Sequence, residues 1–293
     1  MNNRQFSYRC IEENTWQITG SACDCYLLLG NDDTIMIDAG AAQEDIREFA
    51  QTLIGRPVEK VINTHSHFDH TGGNRFFSQI FATEGIAKSA KNTMNEYDGS
   101  DMLEYDFTYL QDGDMVALRG RPLKILVLDC HSRENLAVLD KGHRILFVGD
   151  EIDAGQVLLL PGYAEKRGQL HSKPAASVET YQRVLEKLLA QRDQFDWLCT
   201  GHNGSPLPVC YLEWYWELCE RILSGKEQGQ TDCSGKTFPK SAAHYPYPEA
   251  CYRRAGWKGA SLVYCANRIW DKDPPGPAPA TPLHALSAYT IRQ

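Results

Sequence analysis

Over the first 224 positions, apolar residues fall into short runs separated by helical patterns. Cys25 to Leu29, Thr34 to Asp38, Val58 to Thr64, Lys124 to Asp129, Leu136 to Leu139, Arg144 to Val148 and Asp196 to Thr200 are each four to seven residues long. They are rich in Ile, Val and Leu and bounded by Gly, Asp or Asn, which is how strands read. Three segments carry the helical period instead. In residues 43–54, Ile46, Phe49, Ala50, Leu53 and Ile54 line one face. Ser177 is placed to cap a second helix with Val178, Tyr181, Leu185, Leu188 and Leu189 on its apolar side. A third, from about Val209 to Leu223, repeats the spacing through Leu212, Trp216, Cys219 and Leu223. Strands interleaved with such helices predict sheets covered by helices. Beyond Gly225 the texture turns to Gly, Pro, Tyr and Cys, with one strand candidate at Ser261 to Cys265. The expected organisation is a main domain over 1–224 and a C-terminal extension over 225–293 packed on it. A Pro-rich segment at 274–282 within the extension is unsuited to helix or central strand.

Composition narrows the classes of partner. With 42% hydrophobic and 23% charged residues, the chain has ordinary globular material for a core. Thirty Lys and Arg against 38 Asp and Glu leave a formal charge of −8. That argues against a nucleic-acid backbone or an anionic membrane surface as the main partner, since both need dense positive charge. No apolar run approaches the ~20 residues of a membrane span. The stretch from Met1 to Ser7 has no apolar segment behind its Arg4, so no secretory signal is read and a cytoplasmic location is expected. Ten cysteines contain no C-x-x-C pair, the tightest spacing being Cys23-Asp24-Cys25. They are expected to be reduced and mostly buried as small hydrophobes, not zinc ligands.

The chemistry concentrates in Val61-Ile62-Asn63-Thr64-His65-Ser66-His67-Phe68-Asp69-His70-Thr71-Gly72-Gly73-Asn74. Three of the nine histidines and an aspartate lie within six residues, directly after a strand. In an extended segment His65 and His67 point to the same side and can share one metal. Asp69 and His70, entering the following turn, can reach a second.

This segment resembles the H-x-H-x-D-H signature of the metallo-β-lactamase superfamily, and later motifs follow in that family's order across most of residues 15–224. Ile37-Asp38-Ala39-Gly40 is similar to the first motif, whose aspartate supports the ligands from behind. His131 is similar to the third-motif histidine, Leu146-Phe147-Val148-Gly149-Asp150 to the fourth motif and Thr200-Gly201-His202-Asn203-Gly204 to the fifth. The resemblance implies an α/β fold, a four-layer αβ/βα sandwich of two mixed sheets flanked by helices. It also implies two metals, one on His65, His67 and His131, the other on Asp69, His70 and His202, with Asp150 bridging. Zn²⁺ suits imidazole and carboxylate ligands, and iron or manganese are further occupants.

The activity so implied is hydrolysis, a hydroxide held between the metals attacking an electrophilic carbonyl or phosphoryl centre, with Asp69 orienting it and passing a proton to the leaving group. The full ligand set resembles the glyoxalase II-like and lactonase-like branches, so an ester, lactone or thioester of a small molecule is the expected substrate. A β-lactamase or phosphodiesterase of the same fold stays open, as do an iron-dependent oxidoreductase and a non-catalytic metal-binding protein.

The family pattern breaks at the third histidine. Where Pro-Gly-His-Thr-Pro-Gly-Ser is usual, this chain reads Asp129-Cys130-His131-Ser132-Arg133-Glu134-Asn135. Arg133 or Glu134 could contact a polar substrate or form a surface ion pair. Glu151 either orients a ligand histidine or simply ends a strand. His143 reads as a solvated turn residue, and His284 as exposed. His171 and His244 read as loop residues on the surface or within reach of substrate. Candidate pocket residues are Tyr163, Lys166, Arg167 and His171 in one segment, and Tyr245, Tyr247, Tyr252 and Trp257 in the extension.

Overall fold

A computed structural model of the chain describes residues 6–20, 22–41, 45–88, 90, 105–132, 135–159, 176–230 and 252–273. One sheet takes its strands in chain order: β1 (Ser7–Glu12), β2 (Thr15–Thr19), β3 (Asp24–Leu29), β4 (Thr34–Ile37), β5 (Lys60–Ile62), β6 (Gln79–Ala82) and β7 (Phe107–Tyr109). Pairing is antiparallel up to β4 and parallel from there on. The second sheet contains β8 (Met115–Val116), β9 (Leu123–Val127), β10 (Leu136–Asp140), β11 (Ile145–Gly149), β13 (Trp197–Thr200) and β14 (Leu207–Pro208). Their order is β14-β13-β11-β10-β9-β8, with β11 and β13 parallel. A third, three-stranded sheet sets β12 (Val157–Leu158) beside β16 (Ala260–Cys265), which pairs in turn with β15 (Tyr252–Trp257).

The two large sheets face each other. Tyr26, Leu28, Ile35, Ile37 and Ile62 of the first meet Ile125, Val138, Ile145 and Phe147 of the second in one buried cluster. On the outer face of the first sheet, Leu27, Met36 and Val61 receive Ile46 and Ala50 of helix α1 (Ile46–Ile54). On the outer face of the second, Leu126, Leu139, Leu146 and Val148 meet two helices, α3 (Val178–Leu189) and α4 (Cys210–Leu223). A four-residue helix, α2 (Phe68–Thr71), precedes them in the chain. Apolar residues therefore run unbroken along the central strands because both faces are covered. Each such side chain contributes about 1.5–3 kcal/mol through burial. The layers are helix, sheet, sheet, helix, which is the expected sandwich.

The helix starts follow from side-chain chemistry. Ser177 Oγ accepts the Thr180 amide at 2.9 Å, as its position predicts. Helix α1 begins at Ile46, three residues later than the sequence pattern suggests, because Asp45 caps it by accepting the Glu48 amide at 2.9 Å.

One polar device ties the two sheets together. Arg121, 3% exposed, donates through Nε to Asp140 Oδ2, through Nη1 to the Asn14 carbonyl and through Nη2 to Thr15 Oγ1, each at 2.6 Å. His143 lies in a turn and is partly exposed, as expected, and its Nδ1 also stands 3.1 Å from the same Asp140 carboxylate. Arg121→Ala is expected to destabilise the fold by about 3–5 kcal/mol, because it leaves Asp140 charged and buried without its cation. Urea unfolding monitored by tryptophan fluorescence checks this; a loss below 1 kcal/mol would show that Asp140 finds another partner.

Candidate metal centre

The site is built where the ends of β4, β5, β11 and β13 converge. β5 delivers Thr64, His65 and His67 into an extended segment, and α2 follows with Asp69 and His70. β11 ends at Gly149, which has φ +53° and sits so close to Thr64 that a Cβ would fall 2.6 Å from Thr64 Oγ1. Only glycine fits there, and it brings the next residue, Asp150, over the histidines. Gly201, after β13, is constrained from the other side: a Cβ would lie 2.2 Å from Asp150 Oδ1 and 2.7 Å from His70 Cε1.

The seven donors fall into two neighbouring groups. His65, His67, His131 and Asp150 can each offer one atom within 4.8 Å of the others, and so can Asp69, His70 and His202. His65 Nε2 and His67 Nδ1 are 3.0 Å apart, and His131 Nε2 stands 3.2 Å from the same His67 nitrogen. Asp150 lies between the groups. Its Oδ2 is 3.2 Å from His202 Nε2, 3.5 Å from His131 Nε2 and 3.7 Å from His65 Nε2, while its Oδ1 is 3.4 Å from His70 Nε2. His202 and His70 approach Asp69 Oδ2 to 3.5 and 3.7 Å.

Behind the ring nitrogens that face inward, their opposite nitrogens are held. His70 Nδ1 contacts Asp38 Oδ2 at 2.8 Å. The same oxygen accepts the Thr64 hydroxyl at 2.7 Å, and that hydroxyl lies 3.1 Å from His65 Nδ1. Asp38 Oδ1 accepts the Thr64 amide at 2.8 Å. His131 Nδ1 lies 3.1 Å from the Leu158 carbonyl on β12. Each contact favours the tautomer that leaves Nε2 free as a lone-pair donor.

Electrostatics follows this layout. Burial, and then the neighbouring His70, push His65 well below its ordinary value. Desolvation and His131 lower His67 to about 4, although the residue as a whole is exposed to solvent. Burial also acts against a charged His70, but Asp150, Asp69 and Asp38 outweigh it and raise that residue well above the usual range. His202 is desolvated too, yet its bond to Asp150 raises it to about 9. Burial would raise Asp150; His70, His65 and His202 hold it well below the carboxylate range instead.

The donors fit metal ions. His70 Nε2 and Asp150 Oδ1 are both buried without a hydrogen-bond partner among the described residues. The His65 and His131 Nε2 atoms both come within 3.0–3.2 Å of His67 Nδ1. Clusters of lone pairs of this kind are stable when a cation accepts them, and nitrogen and oxygen donors suit zinc, iron or manganese.

Comparison with known proteins settles the ancestry. The family model described as the metallo-beta-lactamase superfamily matches residues 18–202. The chain belongs to that superfamily. Among curated relatives, it is 25% identical over 223 residues to "Acyl-coenzyme A thioesterase MBLAC2" of Gallus gallus, covering 66% of this chain and 76% of the relative. It is 28% identical over 131 residues to "Hydroxyacylglutathione hydrolase" of Synechococcus sp., covering 44% of this chain and 48% of the relative. Among solved structures, a metallo-beta-lactamase from Erythrobacter litoralis superposes with a TM-score of 0.56 at 20% identity, covering 74% of this chain and 96% of that one. The sec-alkylsulfatase Pisa1 from Pseudomonas sp. gives 0.58 at 15% identity, over 75% of this chain and 43% of that one.

Against this superfamily background, the structure gathers all seven residues singled out from the motifs, with Asp38 directly behind them. Arg133, Glu134, Tyr163, Lys166, Arg167, His171, His244, Tyr245, Tyr247 and His284 lie outside the described residues, as does the Pro-rich segment. Two of the aromatic pocket candidates are described and both pack inward. Tyr252 is buried, and Trp257 covers the Arg221 guanidinium at 3.8 Å while its Nε1 donates to Glu217. The described cysteines are free thiols, most of them buried. Sequence reasoning passed over Thr64, which relays between Asp38 and His65. It also passed over Asn63 and Asn74, whose buried amides bond reciprocally at 3.0 and 2.8 Å across the base of the histidine loop. Their signal was available, since both flank the motif as polar residues where a strand end would otherwise carry apolar ones.

Proposed function

We propose that this superfamily member hydrolyses thioesters of small molecules at a dinuclear metal site. The observation that carries the reading is the complete set of donors around Asp150, whose Oδ1 lies 3.4 Å from His70 Nε2 and whose Oδ2 lies 3.2–3.7 Å from the Nε2 atoms of His202, His131 and His65, so that the carboxylate reaches members of both groups. In this reading His65, His67 and His131 hold one metal, Asp69, His70 and His202 the other, and Asp150 is shared. Metals bound there supply Lewis-acid polarisation of an acyl carbonyl and lower the pKa of water. Zinc is the occupant that the histidine-rich set favours.

The chain's own residues supply orientation and proton transfer. Asp69 is the one acid of the set that is not shared between the groups, and it belongs to the group with His70 and His202. It is placed to receive a proton from the attacking water as the carbonyl carbon is attacked. When the C–S bond breaks, the same carboxyl returns the proton to the departing sulfur, giving an acid and a thiol. Asp38 and Thr64 keep the His70 and His65 rings from turning during this cycle. The relatives favour the thioester over the ester or lactone, since the two curated names above describe hydrolysis of coenzyme A and glutathione thioesters.

The zinc-loaded protein is expected to turn over acyl thioesters at least about tenfold faster in kcat/KM than a penicillin or bis(p-nitrophenyl) phosphate. That margin is about 1.4 kcal/mol of transition-state preference. Faster cleavage of either comparison substrate than of every thioester and lactone in the panel would reverse the assignment.

A further inference from the structure

His131 is the ligand whose sequence surroundings depart from the superfamily pattern, because the Pro-Gly turns that usually flank it are missing. The structure shows what stands there. Glu151 Oε1 accepts the main-chain amide of His131 at 2.9 Å and also the Asn135 side-chain amide. Asn135 closes the loop on itself: its carbonyl accepts the Leu128 amide at 2.5 Å, and its Oδ1 accepts the Cys130 amide at 3.3 Å. Glu151 is fully buried and Asn135 is 3% exposed. The Glu151 carbonyl is held in turn by the Tyr181 hydroxyl at 2.6 Å.

We propose that the Glu151 carboxylate, braced by Asn135, is the positioning group for His131 and replaces the rigidity of the missing Pro-Gly turns. The inference rests on the reading of His131 as a metal ligand. Two anchors act at right places on that residue. Glu151 fixes the main chain, and the Leu158 carbonyl fixes the rotation of the ring. With both, Nε2 can only face His67 and Asp150. Asp150 and Glu151 are consecutive, so a single dipeptide turns one carboxylate on the metal ligands and the other on the loop that carries the third histidine.

A purely structural position would not favour this residue. Glu151 Oε2 is buried without a hydrogen-bond partner among the described residues, and burying an acid in that state costs stability. What the carboxylate offers in exchange is one acceptor strong enough to hold two amide donors together.

The test is zinc titration of the metal-free full chain against a chromophoric chelator, resolved into two binding steps. Outer partners of metal ligands typically contribute about 10–100-fold in affinity. Glu151→Ala is expected to weaken one step by that factor and leave the other within about threefold, whereas Glu151→Gln, which keeps an acceptor oxygen, restores most of the loss. Asn135→Asp removes the amide donor and sets a like charge against Glu151, so it should reproduce the selective loss even if Glu151→Ala does not fold. Equal weakening of both steps, in parallel with a lowered unfolding midpoint, would show a merely structural role and overturn the proposal. So would an unchanged titration in Glu151→Ala. Wild-type protein that takes up no zinc would instead overturn the metal reading itself.

Discussion

Asp150→Ala is expected to reduce metal content from two per chain to one or none, and to lower turnover by on the order of a thousandfold or more, about 4 kcal/mol of barrier. The reason is the position of the carboxylate. Its oxygens lie 3.2–3.7 Å from the Nε2 atoms of His65, His70, His131 and His202, so among the described residues it is the carboxylate that reaches both groups. Without it, Asp69 would be the one remaining carboxylate of the set, and it belongs to a single group, so the repulsion between two neighbouring dications would lose its shared compensation. The protein should remain folded, since among the described residues Asp150 pairs only with the histidines of this cluster. Elemental analysis after dialysis, with circular dichroism as the control, decides the matter. A variant retaining two metals and wild-type turnover would mean that Asp150 does not bridge.

The second large effect is a proton linkage confined to one of the two positions. In the metal-free chain His202 titrates near 9 and His70 well above its ordinary value, both under the influence of Asp150. At pH 7 His202 carries a proton that a metal must displace. His65 lies well below its ordinary value and His67 is lowered to about 4, so these two ligands meet a metal already neutral. Zinc binding to the Asp69, His70 and His202 group should therefore release at least about one proton, and its affinity should fall by at least about tenfold per pH unit on acidification below 9. His65 and His67 should add nothing to proton release between pH 6 and 8. Calorimetry in two buffers of different ionisation enthalpy counts the protons directly, and equal release in both steps would contradict the assignment.

The stability of the metal-free chain runs in the opposite sense. A histidine raised from 6.5 to about 9 contributes stability that is fully present below 6.5 and lost as pH rises through 9. Removing metal should thus shift the pH of greatest stability downward.

Most of the sandwich and the donor set were legible from residue order, for distinct reasons. Strands such as β10 and β11 are buried on both faces, so their apolar runs are continuous and stand out. The donors are legible because metal chemistry admits few residue types, and a strand end allows few spacings. The strands that escaped notice lack those signals. β1 reads Ser-Tyr-Arg-Cys-Ile-Glu and is mostly exposed, while β12, β8 and β14 have two residues each and no period to detect. β15 reads Tyr-Arg-Arg-Ala-Gly-Trp, a polar sequence that becomes a strand because β16 pairs with it residue for residue from Tyr252↔Cys265 to Trp257↔Ala260. Likewise, nothing in the local text around Glu151 says which backbone amide it will meet, because that amide is 20 residues away in the chain. Chemistry is written locally here; the buttressing of that chemistry is not.

The pairing of β12 with β16 also has a consequence for biosynthesis. Leu158, whose carbonyl sets the His131 ring, is held in register opposite Val263, and the Leu159 amide donates to the Val263 carbonyl at 2.8 Å. A nascent chain leaves the ribosome from its N-terminus, so the histidine cluster, His131 and Asp150 emerge well before the strand that steadies the His131 ring. At about 5–20 residues per second, that interval lasts several seconds. During it the His131 ring lacks the pairing that steadies its partner carbonyl, so the candidate metal centre is completed only when synthesis reaches β16.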